Sequence, residues 1–254
     1  MDPRLEAFGR LLNIMDDLRE KCPWDRKQTN ESLRNLTIEE TYELTDAIMQ
    51  NDKKGIKEEL GDLMLHLVFY AKIGSETNDF DITDVLNNVS DKLVRRHPHI
   101  YGEVVAEDEE TVKRNWEQLK LQEGKKSVLE GVPKSLPALI KAQRIQDKSA
   151  KVGFEWENAN QVWEKVQEEM REFRETIVQK ESKARISDEF GDVLFSLVNY
   201  ARFLDVDPEF ALEKTNIKFK KRFEYIEANA PIPLNEMTLE AMDTLWNESK
   251  SLYK

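Results

Sequence analysis

The pentapeptide Glu39-Glu40-Thr41-Tyr42-Glu43, followed by Glu59-Leu60-Gly61-Asp62, returns further along as Glu168-Glu169-Met170-Arg171-Glu172 followed by Glu189-Phe190-Gly191-Asp192. The first motif recurs at an offset of 129 residues and the second at 130. Around them Trp24-Asp25 is answered by Trp156-Glu157, Lys92 and Arg96 by Lys218 and Arg222, and Trp116 by Trp246. Features matched in one order, with offsets between 126 and 132, mark a duplicated unit. Whatever one half of the chain builds, the other half builds again. The seam is expected at 123–134, between units at 1–122 and 135–254.

Each unit reads as helical. Charged residues make up 35% of the 254 positions, against nine glycines and eight prolines, a balance that favours long amphipathic helices over strands and tight turns. Apolar residues recur at spacings of three and four through Leu5–Leu18, Ile38–Ile48, Ile56–Ile73, Val85–Val94, Val162–Ile177, Ile186–Leu204, Phe210–Ile226 and Leu239–Leu252. Thr83 and Ser135 are plausible helix starts, and Pro98, Pro208 and the Pro231-Ile232-Pro233 stretch mark turns or helix beginnings. The expected fold is all-α, two tandem units with cores of the four-helix-bundle type, completed by dimerisation. The runs after Gly61 and Gly191 are apolar nearly all round, which predicts burial on several sides and, at the glycines, close backbone approach.

The formal net charge of -12 argues against a nucleic-acid partner, since binding a phosphate backbone needs clustered Lys and Arg. The single cysteine, Cys22, cannot form an internal disulfide, and no stretch resembles a secretory leader or a membrane span. A cytoplasmic protein is the expectation.

Residues three and four apart on a helix share a face. Glu40 with Glu43, and Glu59 with Asp62 on the next helix, can therefore meet across a short connection, as can Glu169, Glu172, Glu189 and Asp192. Carboxylates crowded in this way raise one another's pKa unless a cation compensates. Mg²⁺ suits such a set, because it prefers oxygen ligands and is commonly held by a few carboxylates together with substrate phosphates. A lone Glu-Glu-x-x-Glu is a weak signal in so acidic a chain; with Glu-x-Gly-Asp 16 or 17 residues later, and repeated, it is a strong one. The bland reading is a solvated face.

Lys218 and Arg222 lie one turn apart, and Arg185 precedes the second acidic pair by one turn, so these cations could neutralise a polyphosphate or merely solvate a helix. Asn199 interrupts an apolar helix where the first unit has Phe69; its amide reads as a contact to ligand sugar or phosphate, or as a core hydrogen bond. Asn216 is a second candidate of this kind. His66 reads as a satisfied core histidine. The tryptophans read mostly as core, though one in each unit could border a base by stacking.

The motifs Cys22-Pro23-Trp24-Asp25 with Gln28-Thr29, both acidic sets, and Val152-Gly153-Phe154-Glu155-Trp156 together resemble the MazG family of nucleoside triphosphate pyrophosphohydrolases over nearly the whole chain. The resemblance implies an all-α homodimer. It further implies Mg²⁺-dependent hydrolysis, with Mn²⁺ a substitute, of nucleoside triphosphates to monophosphate and pyrophosphate with broad base tolerance, and a role in cleaning the nucleotide pool. It implies Glu169, Glu172, Glu189 and Asp192 as metal ligands, with Glu40, Glu43, Glu59 and Asp62 a second set. Arg185, Lys218, Arg222 and Trp246 are implied as nucleotide contacts; Arg185 stands where the family is expected to carry a lysine. It also suggests that the second unit does the work while the first is structural or regulatory. The expected chemistry is attack of a metal-activated water on the α-phosphorus, with Glu168 or Glu169 accepting the proton, so that Glu168, Glu169, Glu172 and Arg185 are the catalytic candidates. A diiron bundle is disfavoured, since neither unit supplies a Glu-x-x-His. The remaining alternative is a non-catalytic dimeric helical module.

Overall fold

The computed structural model describes residues 2–102 and 127–252, and the described residues are helical without a strand. Two compact units emerge, Met1–Val112 and Lys113–Lys254. Of the stretch expected as a linker, 123–126 lies outside the described residues, as does Trp116. Residues 128–134 are tied to the second unit: Lys148 donates to the carbonyls of Val128 and Glu130, and Lys141 to that of Lys134.

In the first unit α1 (Pro3–Lys21), α2 (Asn30–Met49) and α3 (Lys53–Glu76) pack together, followed by α4 (Ile82–Arg96) and the single turn α5 (Pro98–Tyr101). Local chemistry sets the boundaries. Thr29 and Ser32 form a capping box at the start of α2, an arrangement worth about 1 kcal/mol. Asn51, at a positive φ of 55°, turns the chain between α2 and α3. The cap of α4 is Asp81 rather than Thr83, because the Asp81 carboxylate accepts from the amides of Thr83 and Asp84. Met15, Leu33, Val68 and Phe69 form the core, each contributing about 1.5–3 kcal/mol through burial.

The second unit repeats the plan with α6 (Ala138–Ala150), α7 (Ala159–Val178), α8 (Lys183–Phe203), α9 (Pro208–Asn229) and α10 (Leu239–Leu252). Helix α6 is missing from the periodic segments read in the sequence. Its buried face ends in Gln146 and Lys148, which interrupt the apolar spacing. Lys180, at φ 55°, turns α7 into α8 as Asn51 turns α2 into α3.

Two packing expectations are not met among the described residues of a single chain. Helices α3 and α8 are buried on one side only: Val68, Phe69, Val193 and Val198 face the core, while Leu60, Met64, Leu67, Phe190, Leu194 and Leu197 are 41–55% exposed. Among the described residues neither unit supplies a further layer of its own over that side. Nor do Gly61 and Gly191 mark close approach within the chain, since an added Cβ would meet nothing within 4 Å at either.

Candidate metal and phosphate site

In each unit the two longest-packed helices run side by side and carry the acidic motifs on facing turns. In the second unit Asn158 caps α7 and Ser182 caps α8, fixing the register that sets Glu169 and Glu172 opposite Glu189. One ligand oxygen from each of the three lies within 4.8 Å of the others, and Glu40, Glu43 and Glu59 form the same trio in the first unit. Neither trio takes in the aspartate: Asp192 and Asp62 are exposed, one turn further along their helices.

The surroundings of the trios differ. Lys165 Nζ lies 2.7 Å from Glu169 and 2.8 Å from Glu168, and Arg185 Nη2 lies 2.5 Å from Glu189. Lys165 holds the Glu168 carboxyl below its usual range, and its own pKa is pushed up by the same bonds. Glu168 is not one of the trio but shares the Lys165 ammonium with Glu169. Sequence reading missed Lys165, although its place one turn before Glu169 was the available signal. In the first unit the corresponding positions are Leu36 and Gly55. There burial, then the charges of Asp62 and Glu43, push Glu40 up; burial and Glu43 do the same to Glu59.

These donors fit a hard dication. All are carboxylates, which Mg²⁺ favours. Glu189, 2% exposed, also keeps its Oε2 buried without a hydrogen-bond partner, an arrangement that costs free energy until something accepts its lone pairs.

The description "MazG nucleotide pyrophosphohydrolase domain" belongs to a family model that matches residues 28–101 and 158–226, one segment for each helix pair and its acidic trio. The chain belongs to the MazG family. It is 42% identical to the nucleoside triphosphate pyrophosphohydrolase of Escherichia coli strain K12, covering 97% of this chain and 98% of that one. It is 43% identical to the nucleoside triphosphate pyrophosphohydrolase/pyrophosphatase MazG of Thermotoga maritima, over 96% of this chain and 95% of that one. YabN of Bacillus subtilis, an uncharacterized protein, is 47% identical over 96% of this chain and 51% of its own length.

The other candidate contacts of this MazG chain fall into two further groups. The Arg222 guanidinium stacks over Trp246, 5.5 Å from its centroid, and Phe219 packs on the same indole at 5.1 Å. Lys218, half-buried, lies one turn before Arg222, and Asn216 is exposed and donates to Glu213 at 3.0 Å. The second group lines a cavity of about 580 Å³ within the second unit, formed by Gln146, Phe154, Trp156, Phe195, Asn199 and Arg202 among others. Asn199 Oδ1 accepts from Arg202 Nε at 3.2 Å and Nη2 at 2.9 Å, and Arg202 is held in turn by Glu155 at 2.7 Å. In the first unit Phe69 takes the place of Asn199, 2% exposed beneath the Arg19 guanidinium, which lies 5.4 Å from its ring centroid.

Of the tryptophans read mostly as core, Trp24 is 56% and Trp156 44% exposed, the latter bordering the cavity, while Trp246 is partly buried. His66 is buried as expected and burial pushes its pKa down, yet its Nδ1 has no hydrogen-bond partner, so it is not satisfied. No helix among the described residues is long and apolar enough to cross a membrane.

Proposed function

We propose that this MazG protein hydrolyses nucleoside and deoxynucleoside triphosphates to the monophosphate and pyrophosphate, with broad base tolerance, and so clears the nucleotide pool of the cytoplasm. The observation that carries this is the second-unit trio: two buried carboxylates, one with an orphan oxygen, beside the exposed Glu172, two cations at their edge, and a cavity in the same helical unit.

Glu169, Glu172 and Glu189, with Asp192 one turn on, would hold Mg²⁺, for which Mn²⁺ can substitute. The metal supplies a water of lowered pKa and neutralises charge on the phosphoryl oxygens. The chain does the rest. Lys165 and Arg185 carry the positive charge that a polyphosphate seeks, and Arg222, with Lys218, offers a second cationic group braced on Trp246. Glu168, outside the trio and bonded to Lys165, is the neighbouring carboxylate placed to accept a proton from water attacking the α-phosphorus once Lys165 turns to the phosphates. Trp156 and Phe154 offer faces for a base, with Asn199 at the cavity wall.

The second unit is proposed as the working one, since the first has neither the two cations nor the cavity lined by Asn199. Helices α3 and α8 favour a homodimer: their exposed apolar stripes occupy matching positions, and Gly61 and Gly191, with open space around them, lie alongside.

Incubation with mixed triphosphates and Mg²⁺ tests the reading, with monophosphate and pyrophosphate the expected products. In ¹⁸O-water the label should enter the monophosphate. Label confined to pyrophosphate would mean attack at the β-phosphorus and reject the assignment of the reacting centre.

A further inference from the structure

Two cations stand among the second unit's carboxylates. The side chains of Glu169 and Glu189 are 10% and 3% exposed, whereas their partners Lys165 and Arg185 are 36% and 54% exposed, so each pair joins a buried carboxylate to a cation that water still reaches. Glu189 nevertheless keeps Oε2 buried and without a partner. The set is therefore built for a further electron-pair acceptor that neither cation supplies. The first unit, with Leu36 and Gly55 at the matching positions, has the same three carboxylates without these two partners.

A bare dication approaching the second trio meets two positive charges already bonded to its ligands, which repel it and compete with it for the same oxygens. An anionic polyphosphate changes that balance. It offers the ammonium and the guanidinium better-matched acceptors, which frees carboxylate lone pairs, and it brings oxygens of its own to the metal.

We propose that Lys165 and Arg185 gate the second site, so that its carboxylates take a divalent cation together with a phosphorylated ligand and not before it. The inference rests on the triphosphate reading above and adds an order of binding to it. Lys165 acts here as a positioning residue: it holds Glu169 and Glu168 in place until phosphate draws it away.

The test uses the full chain carrying Glu43→Gln, so that the first trio adds no signal, and reads free Mn²⁺ by electron paramagnetic resonance. Bare Mn²⁺ should bind weakly, and an imido-bridged triphosphate analogue should tighten it by roughly tenfold or more. Lys165→Met and Arg185→Gln should each strengthen binding of bare Mn²⁺ by about tenfold while weakening the analogue. Adding Glu172→Gln should abolish both gains. Lys165→Gln serves where circular dichroism shows the methionine variant unfolded. Bare Mn²⁺ bound as tightly as with the analogue, or unchanged in both cation variants, overturns the gate. Triphosphate hydrolysis by the same parent protein separates the two ideas: turnover alongside tight bare-Mn²⁺ binding rejects the gate alone, whereas neither turnover nor analogue binding rejects both.

Discussion

The two units share a helix order, a turn with a left-handed residue between the acidic helices, and a carboxylate trio, yet they differ at the positions around that trio. Lys165, Arg185 and Asn199 in the second unit are Leu36, Gly55 and Phe69 in the first. The last exchange matters most for packing. Phe69 joins Met15, Leu33 and Val68 in a hydrophobic core, whereas Asn199 stands at the wall of a cavity of about 580 Å³. The repeat keeps the scaffold and the three carboxylates. What differs is a handful of side chains around the carboxylates, and on the proposed reading these decide which unit meets the rest of a substrate.

The contrast breaks first at the carboxylates. Glu172→Ala should lower turnover by on the order of 10²-fold or more, because it removes several kcal/mol of metal-mediated charge stabilisation, while Glu43→Ala stays within about twofold. Steady-state pyrophosphate release measures both, and the reverse ranking would hand the active role to the first unit.

Next come the packing exchanges. Phe69→Asn should destabilise the first unit by roughly 3–5 kcal/mol, since it opens a cavity and buries an amide without a partner. Urea unfolding reads the loss, and a change under 1 kcal/mol would mean that Phe69 is not a core anchor. Asn199→Phe should raise KM by about tenfold with a smaller change in kcat, the pattern expected when binding of the remote part of a substrate is lost. An unchanged KM would remove the cavity from the substrate's path.

The smallest effect is electrostatic and confined to the first unit. Arg19 lies 2.5 Å from Glu76 and holds its carboxyl below the usual range. A carboxyl depressed in the folded state stabilises above its unfolded pKa, roughly 4.3, and loses that contribution as pH falls through the folded value. Glu76 is 38% exposed, so solvent screening keeps the contribution below about 1 kcal/mol. Glu76→Gln should thus lower the melting temperature slightly at pH 7, with the difference vanishing in strong acid. A gap that persists at low pH would show packing, not charge, to be the cause.

Much of this was legible in the sequence. Three-and-four periodicity located the acidic helices, and the repeat of Glu40, Glu43 and Glu59 as Glu169, Glu172 and Glu189 announced that side chains distant in the chain would converge. Helix α6 was hidden because Gln146 and Lys148 are buried for hydrogen bonds to backbone carbonyls, which no apolar pattern encodes. The cavity was hidden for a related reason. It arises from residues left out of the core, and Trp156 or Phe195 looks the same in a sequence whether it fills a space or lines one. Lys165 escaped notice because one lysine among many charges carries meaning only once its distance to Glu169 is known.

The ladder from Glu155 through Arg202 to Asn199 fixes more than a rotamer. A guanidinium can only donate, so the amide must turn its oxygen toward it and has its NH₂ left for other acceptors. Every heteroaromatic ring of a nucleotide carries a lone pair in its plane. At this point of the wall the amide offers hydrogen and asks for a lone pair, which a ring supplies in its plane and an aliphatic chain does not.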